Sequence, residues 1–302
     1  MYALRHPNDK GGLRRVRRNC YIDSASVPGL DHLARHAFLI RAIAAVSSPD
    51  AVVSHSSAAV LHGIPLIGVP LTHVHLSRNR ATGARVKPQV VVHASRLESE
   101  DVVMIAGIRV TSAARTVLDL ARTTPFDSAV AAADAALHNK LTTRTSLDEQ
   151  LLRLRPGPGS RDATTALSFA DGRSDSPGES LSRVAFHHGE LPTPHLQARI
   201  SDEAGNFVAD TDFLFETLGV IGEFDGRSKY QAGLRRGRTV EEVVIAEKYR
   251  ENRIRALGWI VARWTWADLE NRTSLVARIE AAAAVAARTP HRAGTWNAPP
   301  RI

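Results

Sequence analysis

The sequence predicts an α/β protein of two domains, and three observations carry that prediction. The chain has 302 residues, more than a single core usually organises. The stretch Arg155 to Gly159, Arg-Pro-Gly-Pro-Gly, can continue neither a helix nor a sheet ladder. On both sides of it, runs with strand-like alternation are interleaved with runs of helical period. The expected divisions are a mixed α/β module over 1–155, a linker with a short helix over 156–176, a second α/β domain over 177–288 and a disordered tail over 289–302.

Taken in order, the first element is a basic strand or wing. Arg14, Arg15, Arg17 and Arg18 surround a short apolar alternation ending at Ile22, which suits either phosphate contact or a solvated strand edge that its charges keep from aggregating. Asp31 to Val46 has helical spacing, closed by Pro49-Asp50. Val52 to Leu61 reads as a short helix with serine at its start and Gly63 at its end. His55 and His62 stand seven apart there with no carboxylate beside them, so packing or capping outweighs metal ligation. Thr72 to Leu76, Val90 to His93 and Val102 to Val110 alternate as strands, and Ala113 to Ala121 and Asp127 to Leu137 repeat as helices. Arg161 to Ala170 places Ala163, Leu167 and Ala170 on one face and reads as a bridging helix.

Beyond the linker, Ser176-Pro177-Gly178-Glu179 opens a helix to about His188. A strand at Gln197 to Ile200 follows, then a turn over Asp202 to Asn206. Val208 to Phe215 and Gly219 to Gly226 form a strand pair, Glu247 to Leu257 a charged helix stopped by Gly258, and Ile260 to Thr265 a closing strand.

Composition narrows the function classes. Hydrophobic residues at 43% and charged residues at 23% supply enough apolar material for cores and exclude global disorder. No apolar run approaches the roughly 18 residues of a membrane-spanning helix, and no apolar segment follows the N-terminal positive charges, so a cytoplasmic, membrane-free protein is expected. One cysteine, Cys20, permits no internal disulfide and no cysteine-rich zinc site. Any metal must use oxygen or histidine. The balance of 39 Lys and Arg against 31 Asp and Glu gives +8, which suggests an anionic partner such as nucleic acid. Residues 1–100 carry 13 basic and 6 acidic side chains, whereas residues 201–250 carry 7 and 10, so a basic front accompanies a locally acidic region.

That acidic region carries the chemistry. Asp212 stands where its strand turns strongly apolar, and Glu223 follows Val-Ile-Gly on a strand that should be buried. A carboxylate in such a place is costly unless paired or metal-bound. Several converging carboxylates are what a hard cation such as Mg²⁺ requires, and the cation can activate a water against a phosphodiester. Each residue also has a plainer reading. Glu179, three after Ser176, is a capping-box position; Asp225-Gly226 is a common turn pair; Asp210 shares the strand of Asp212 and can stand beside or replace it; the charges along Glu247 to Arg255 can pair as a solvated helix face. Trp264 and Trp266 read as core or platform residues.

Asp212 and Glu223-Phe224-Asp225-Gly226, with Glu179 before them and the helix and strand from Glu247 to Thr265 after them, resemble the PD-(D/E)XK nuclease superfamily, in the branch similar to very-short-patch-repair endonucleases. The likeness covers roughly residues 177 to 270 and implies a central mixed sheet flanked by helices. It also implies a metal site of Glu179, Asp212 and Glu223 holding Mg²⁺ or Mn²⁺, completed by the backbone after Glu223, with DNA as substrate. Where the superfamily usually has lysine, this chain has Asp225; Lys229 is the candidate for the missing positive charge. Arg250, Arg253 and Arg263 would then contact phosphate or support the fold. A fold retained only to bind DNA or protein is the alternative, and RNA as substrate stays open.

Ser54-His55-Ser56-Ser57-Ala58-Ala59-Val60-Leu61-His62-Gly63-Ile64-Pro65 and Val110 to Leu120 resemble two signatures of the AbiEi family of antitoxins and regulators, a likeness spanning about residues 12 to 150. It implies a toxin–antitoxin or phage-defence setting and a cognate toxin as partner. Family members usually begin with a winged helix-turn-helix; here only the basic wing-like end, near Arg14 to Tyr21, precedes the later domain. Arg115 and Asp119, four apart on a helix, can form an ion pair.

Overall fold

A computed structural model describes residues 13–17, 20–23, 29–80, 83–226, 239–288 and 292–301, the first two segments by their backbone alone. The chain is mixed α/β and divides into two compact units, Met1–Ala170 and Asp171–Ile302.

In the first unit, β1 (Leu13–Arg17) and β2 (Cys20–Asp23) pair antiparallel as a two-stranded ribbon. Helix α1 (His32–Ala45) begins at Asp31, whose carboxylate accepts the Ala34 N–H. It lays Ile40 and Ile43 on the core formed by Val53, Ala58, Val74, Leu76, Val90 and Val110. Strands β3 (Val52–Val53), β4 (Val74–Asn79), β5 (Arg85–Lys87), β6 (Val90–Ser95), β7 (Val102–Ile105) and β8 (Ile108–Thr111) form one mixed sheet in the order β5-β6-β4-β3-β8-β7. Helix α2 (His55–His62) follows β3 and ends at Gly63, whose φ of +72° is the left-handed cap a glycine accepts without strain. The run expected as one strand over 102–110 is a hairpin, because Ala106 and Gly107 both take positive φ and reverse the chain.

Helices α3 (Ala113–Thr123), α4 (Phe126–His138), α5 (Arg144–Leu152) and α6 (Ser160–Phe169) complete this unit. The expected bridging helix, α6, packs on α3 and α4 and buries Ala163, Ala166 and Leu167. The division between units therefore falls after α6 and not at the Pro-Gly break. That break instead reaches back onto α3, where the Arg122 side chain donates to the Pro158 carbonyl at 3.1 Å.

The second unit is built on a sheet in the order β12-β11-β10-β9-β13, from β9 (His195–Ser201), β10 (Phe207–Phe215), β11 (Val220–Phe224), β12 (Ile260–Trp264) and β13 (Thr295–Asn297). β9, β10 and β11 run as an antiparallel meander, and β12 joins β11 in parallel after the crossover helix α8 (Val240–Ala256). Helix α7 (Pro177–His188) precedes the sheet; α9 (Trp266–Leu269) and α10 (Arg272–Ala286) follow β12. One face buries Phe186, Phe213, Phe215, Phe224, Trp264, Leu275 and Ile279, and the other Ala198, Ile200, Leu214, Ile221, Ile254 and Trp259. Trp264 is core, its indole N–H donating to Ser182 at 2.7 Å, whereas Trp266 is largely exposed beside Phe224. The C-terminal segment, expected as disordered, places Thr295, Trp296 and Asn297 against Ser201, Ile200 and Arg199 as the edge strand β13.

Candidate active site

The three acidic residues singled out from the sequence are all buried: Glu179 is 2% exposed, Asp212 8% and Glu223 3%. Each is set by a different local cause. Ser176 caps α7, accepting the Glu179 N–H at 3.2 Å while donating its hydroxyl to Glu179 Oε1 at 2.9 Å. Oε2 of Glu179 accepts the Asp175 N–H at 2.9 Å. Ser176 thus caps the helix as expected, but the reciprocal half of the capping box is shifted by one residue, to the Asp175 N–H, and these bonds fix the Glu179 carboxyl in the interior. Gly178 brings α7 down onto the sheet: a Cβ there would lie 2.1 Å from the Phe224 ring, so no larger residue lets the helix come this close.

Asp212 stands at the end of the β10–β11 ladder. Backbone pairing stops at Phe213 with Gly222, and the next N–H on the β11 side, that of Phe224, goes to Asp212 Oδ2 at 2.8 Å. On the other flank of β10, Gln197 lies between Leu196 and Ala198, which pair with Phe213 and Thr211. Gln197 takes a φ of +52°, an uncommon backbone for a residue with a side chain, and its amide donates to Glu179 Oε2 at 3.0 Å. Strained backbone of this kind concentrates at functional sites. Nothing in the sequence marks Gln197: a lone glutamine in an alternating strand carries no signal of a left-handed φ.

Burial first, and then the Asp212 charge, push the Glu179 carboxyl up to about 8. The consequence for stability has a definite sign. Between the ordinary value of 4.5 and about 8 the unfolded chain has lost a proton that the folded chain keeps, so stability falls as pH rises through that window. Glu179→Gln, which cannot ionise, should flatten that slope, as denaturant titrations at pH 5 and pH 8 would register.

Glu223 has a different electrostatic setting. Its carboxylate receives Arg250 of α8 through two parallel bonds, Nη1 to Oε1 at 3.1 Å and Nη2 to Oε2 at 3.0 Å, the fork geometry in which guanidinium meets carboxylate best. Arg250 also holds Glu247, and Arg263 ties together Glu247, Glu251 and Asp225. The network holds Glu247 down at about 2, against the opposing effect of burial. Arg253 donates to the Phe207 carbonyl at 2.6 Å. The half-buried Arg250 and Arg263 and the exposed Arg253 are therefore each already bonded to groups of the protein itself. Asp210 faces outward and pairs with Arg199 at 2.9 Å. Arg14, Arg15 and Arg17 lie on β1, while Arg18 and Lys229 fall outside the described residues.

Glu179 and Asp212 thus act on one another, and Glu223 is joined to Arg250. Among the described residues, the trio of potential metal ligands whose donor atoms all lie within 4.8 Å of one another is a different one, His55, His75 and His93 of the first unit. The sequence set His55 aside for want of a neighbouring carboxylate; its neighbours come from β4 and β6, 20 and 38 positions away, with Asp119 of α3 3.9 Å from its ring.

Two uncharacterized proteins of Mycobacterium tuberculosis, from strains CDC 1551 and H37Rv, are similar to this chain, each 27% identical over 251 residues that cover 83% of this chain and 84% of theirs. No family model matches the sequence and no solved structure matches it. The similarity to the mycobacterial proteins extends over most of both chains, too far to stop within either unit.

Proposed function

We infer that the second unit is a divalent-metal-dependent nuclease of the PD-(D/E)XK type that hydrolyses DNA phosphodiesters. The observation that carries this reading is the placement of two buried carboxyl groups, Glu179 on a helix start and Asp212 where β10 and β11 cease to pair, beside a third, Glu223, on the neighbouring strand. The element order helix, three-strand meander, helix, parallel strand agrees with the resemblance that suggested the activity. Two buried carboxyls repelling one another fit a hard dication, which would relieve that repulsion.

Asp212 and Glu179 would hold Mg²⁺ or Mn²⁺, with Glu223 joining them when Arg250 exchanges it for another anion. When bound there, such an ion would supply Lewis-acid activation of a water and neutralise charge on the scissile phosphate. The chain's own groups do the positioning. Ser176, the Asp175 N–H and Gln197 fix the Glu179 carboxyl; the Phe224 N–H fixes Asp212; Lys229 is the candidate phosphate-side charge. The AbiEi-like signatures of the first unit support a toxin–antitoxin or phage-defence setting.

Purified full-length Asp212→Ala should lose supercoiled-plasmid nicking in Mg²⁺ by about 100-fold or more, with an unchanged circular dichroism spectrum, on the scale of removing a principal electrostatic contributor. Unchanged nicking would remove the assignment. One observation favours a second reading, an antitoxin-type regulator that binds DNA without cutting it. The Glu223 charge is already met by Arg250, and Asp225 replaces the lysine. Calorimetric titration with Mn²⁺ separates the two, since a regulator need not bind an ion at Asp212.

A further inference from the structure

We propose that the first unit contains a transition-metal site in which His55, His75 and His93 each give one imidazole nitrogen to a single zinc-class dication, leaving one coordination position facing an adjoining cavity. This proposal is independent of the nuclease reading.

Three elements build the cluster. His55 opens α2 with a φ of +52°, and His75 and His93 lie on the neighbouring parallel strands β4 and β6. The donor atoms of all three lie within 4.8 Å of one another. His75 Nδ1 and His93 Nε2 share a hydrogen bond of 2.9 Å, and the ring centroids of His55 and His93 are 3.7 Å apart. His55 is buried and His75 and His93 are half-buried.

A neutral imidazole carries one N–H and one lone pair. Three such rings therefore offer three lone pairs without releasing a proton. The hydrogen bond between His75 and His93 sets the N–H of one ring against the lone pair of the other; for both facing nitrogens to ligate, the donor ring takes its other tautomer, its proton moving to the nitrogen that faces away, so the count of protons is unchanged. Neutral imidazole nitrogen is a preferred donor for Zn²⁺, Co²⁺ and Ni²⁺ and a poor one for Mg²⁺ or Ca²⁺.

Two further features point to a ligand. Asp119 of α3 is 3% exposed and its Oδ2, 3.9 Å from His55 Nδ1, has no hydrogen-bond partner, while Oδ1 receives Arg115. His55 Nδ1 is held by Ser54 Oγ at 2.9 Å, which orients the ring, and the Asp119 carboxylate beyond it adds a negative charge that favours a cation at the trio. Beside the trio lies a cavity of about 310 Å³, lined by His55, Thr72, His73, His75, His93 and Thr124 among others. Three nitrogen ligands with an open fourth position form the pattern of a zinc site that retains water or takes a small anionic ligand, whereas a purely structural zinc site is closed by a fourth protein ligand.

Cobalt(II) titration of the chelator-treated full-length protein tests this. One Co²⁺ per chain should bind with the visible ligand-field bands of a four-coordinate site, be displaced by Zn²⁺ and be unaffected by excess Mg²⁺. His75→Ala and His93→Ala should each weaken binding by about 100-fold or more, at least the loss seen for supporting residues. Asp212→Ala, in the other unit, should leave the cobalt spectrum intact. Absence of the bands in the wild-type protein would overturn the proposal whether or not the variants fold, and so would their persistence in a folded His75→Ala/His93→Ala double variant.

Discussion

Replacing Arg115 by alanine should cost the first unit about 3 to 5 kcal/mol, the range for removing one member of a buried ion pair. Arg115 is 7% exposed and lies between two carboxylates. Its Nε donates to Asp119 Oδ1 at 2.9 Å and its Nη1 to Asp101 Oδ2 at 3.2 Å, with further bonds to the Arg96 carbonyl and Ser95. The two carboxylates differ in what they keep after the change. Asp101 retains Gln150 at 2.8 Å, Arg153 at 3.2 Å and the Glu98 N–H. Asp119 loses its guanidinium, and burial already drives its carboxyl upward against the pull of Arg115. Arg115→Ala should therefore drive the Asp119 carboxyl further up and favour its protonated form. The loss should shrink as pH falls, because a protonated carboxyl leaves no charge to bury. Pairing the change with Asp119→Asn should recover a large part of the loss. Hydrogen exchange of α3 and β8 amides reads the effect directly, and an equal loss in single and double variants would contradict it.

The resolution of the sequence reading differs from one residue type to the next, for physical reasons. Periodicity and stop signals located α7, β10, β11 and β12 closely, since each is long enough for burial on one or both faces to mark its composition; of α8 they located the end, before Gly258, but not the start, Val240 after the Thr239 cap, seven residues before Glu247. Ala106-Gly107 was lost inside an apolar run, because the turn rests on two positive φ values rather than on polar residues. β13 carries no signal in the sequence, since three residues, Thr295 to Asn297, show no period and owe their conformation to β9. At the site, Glu179 was legible as a cap, and Asp212 and Glu223 as carboxylates in apolar surroundings. Their partners were not. Arg250 lies 27 positions from Glu223, and an arginine on a charged helix looks the same in sequence whether it meets phosphate, solvent or a buried carboxylate. The histidine trio was illegible for a related reason: it gathers a helix start and two strand positions, and no local pattern encodes their meeting.

Arg250→Met should destabilise the second unit by about 3 kcal/mol, the lower end of the range for a broken buried pair, since the Arg250 side chain is 24% exposed while that of Glu223 is 4%. Methionine keeps the packing of the stem, so the loss reports on the charge and not on a cavity. All four tryptophans, Trp259, Trp264, Trp266 and Trp296, lie in this unit, and their fluorescence follows its unfolding. Adding Glu223→Gln should return most of the lost stability, because the amide has no charge to compensate; a double variant as unstable as Arg250→Met would show that Arg250 acts through Glu247 and the Asp210 carbonyl instead. The pH dependence separates these cases again. A buried carboxylate deprived of its guanidinium favours its protonated form, so stability in Arg250→Met should fall as pH rises above the ordinary glutamate range, and Glu223→Gln should abolish that added slope. If the acidic site holds an ion as proposed, Mn²⁺ should bind Arg250→Met more tightly than the wild type, since the ion no longer competes with a guanidinium for Glu223. The same substitution then lowers stability in the absence of metal and strengthens metal binding, two opposite changes that a purely structural ion pair would not produce together.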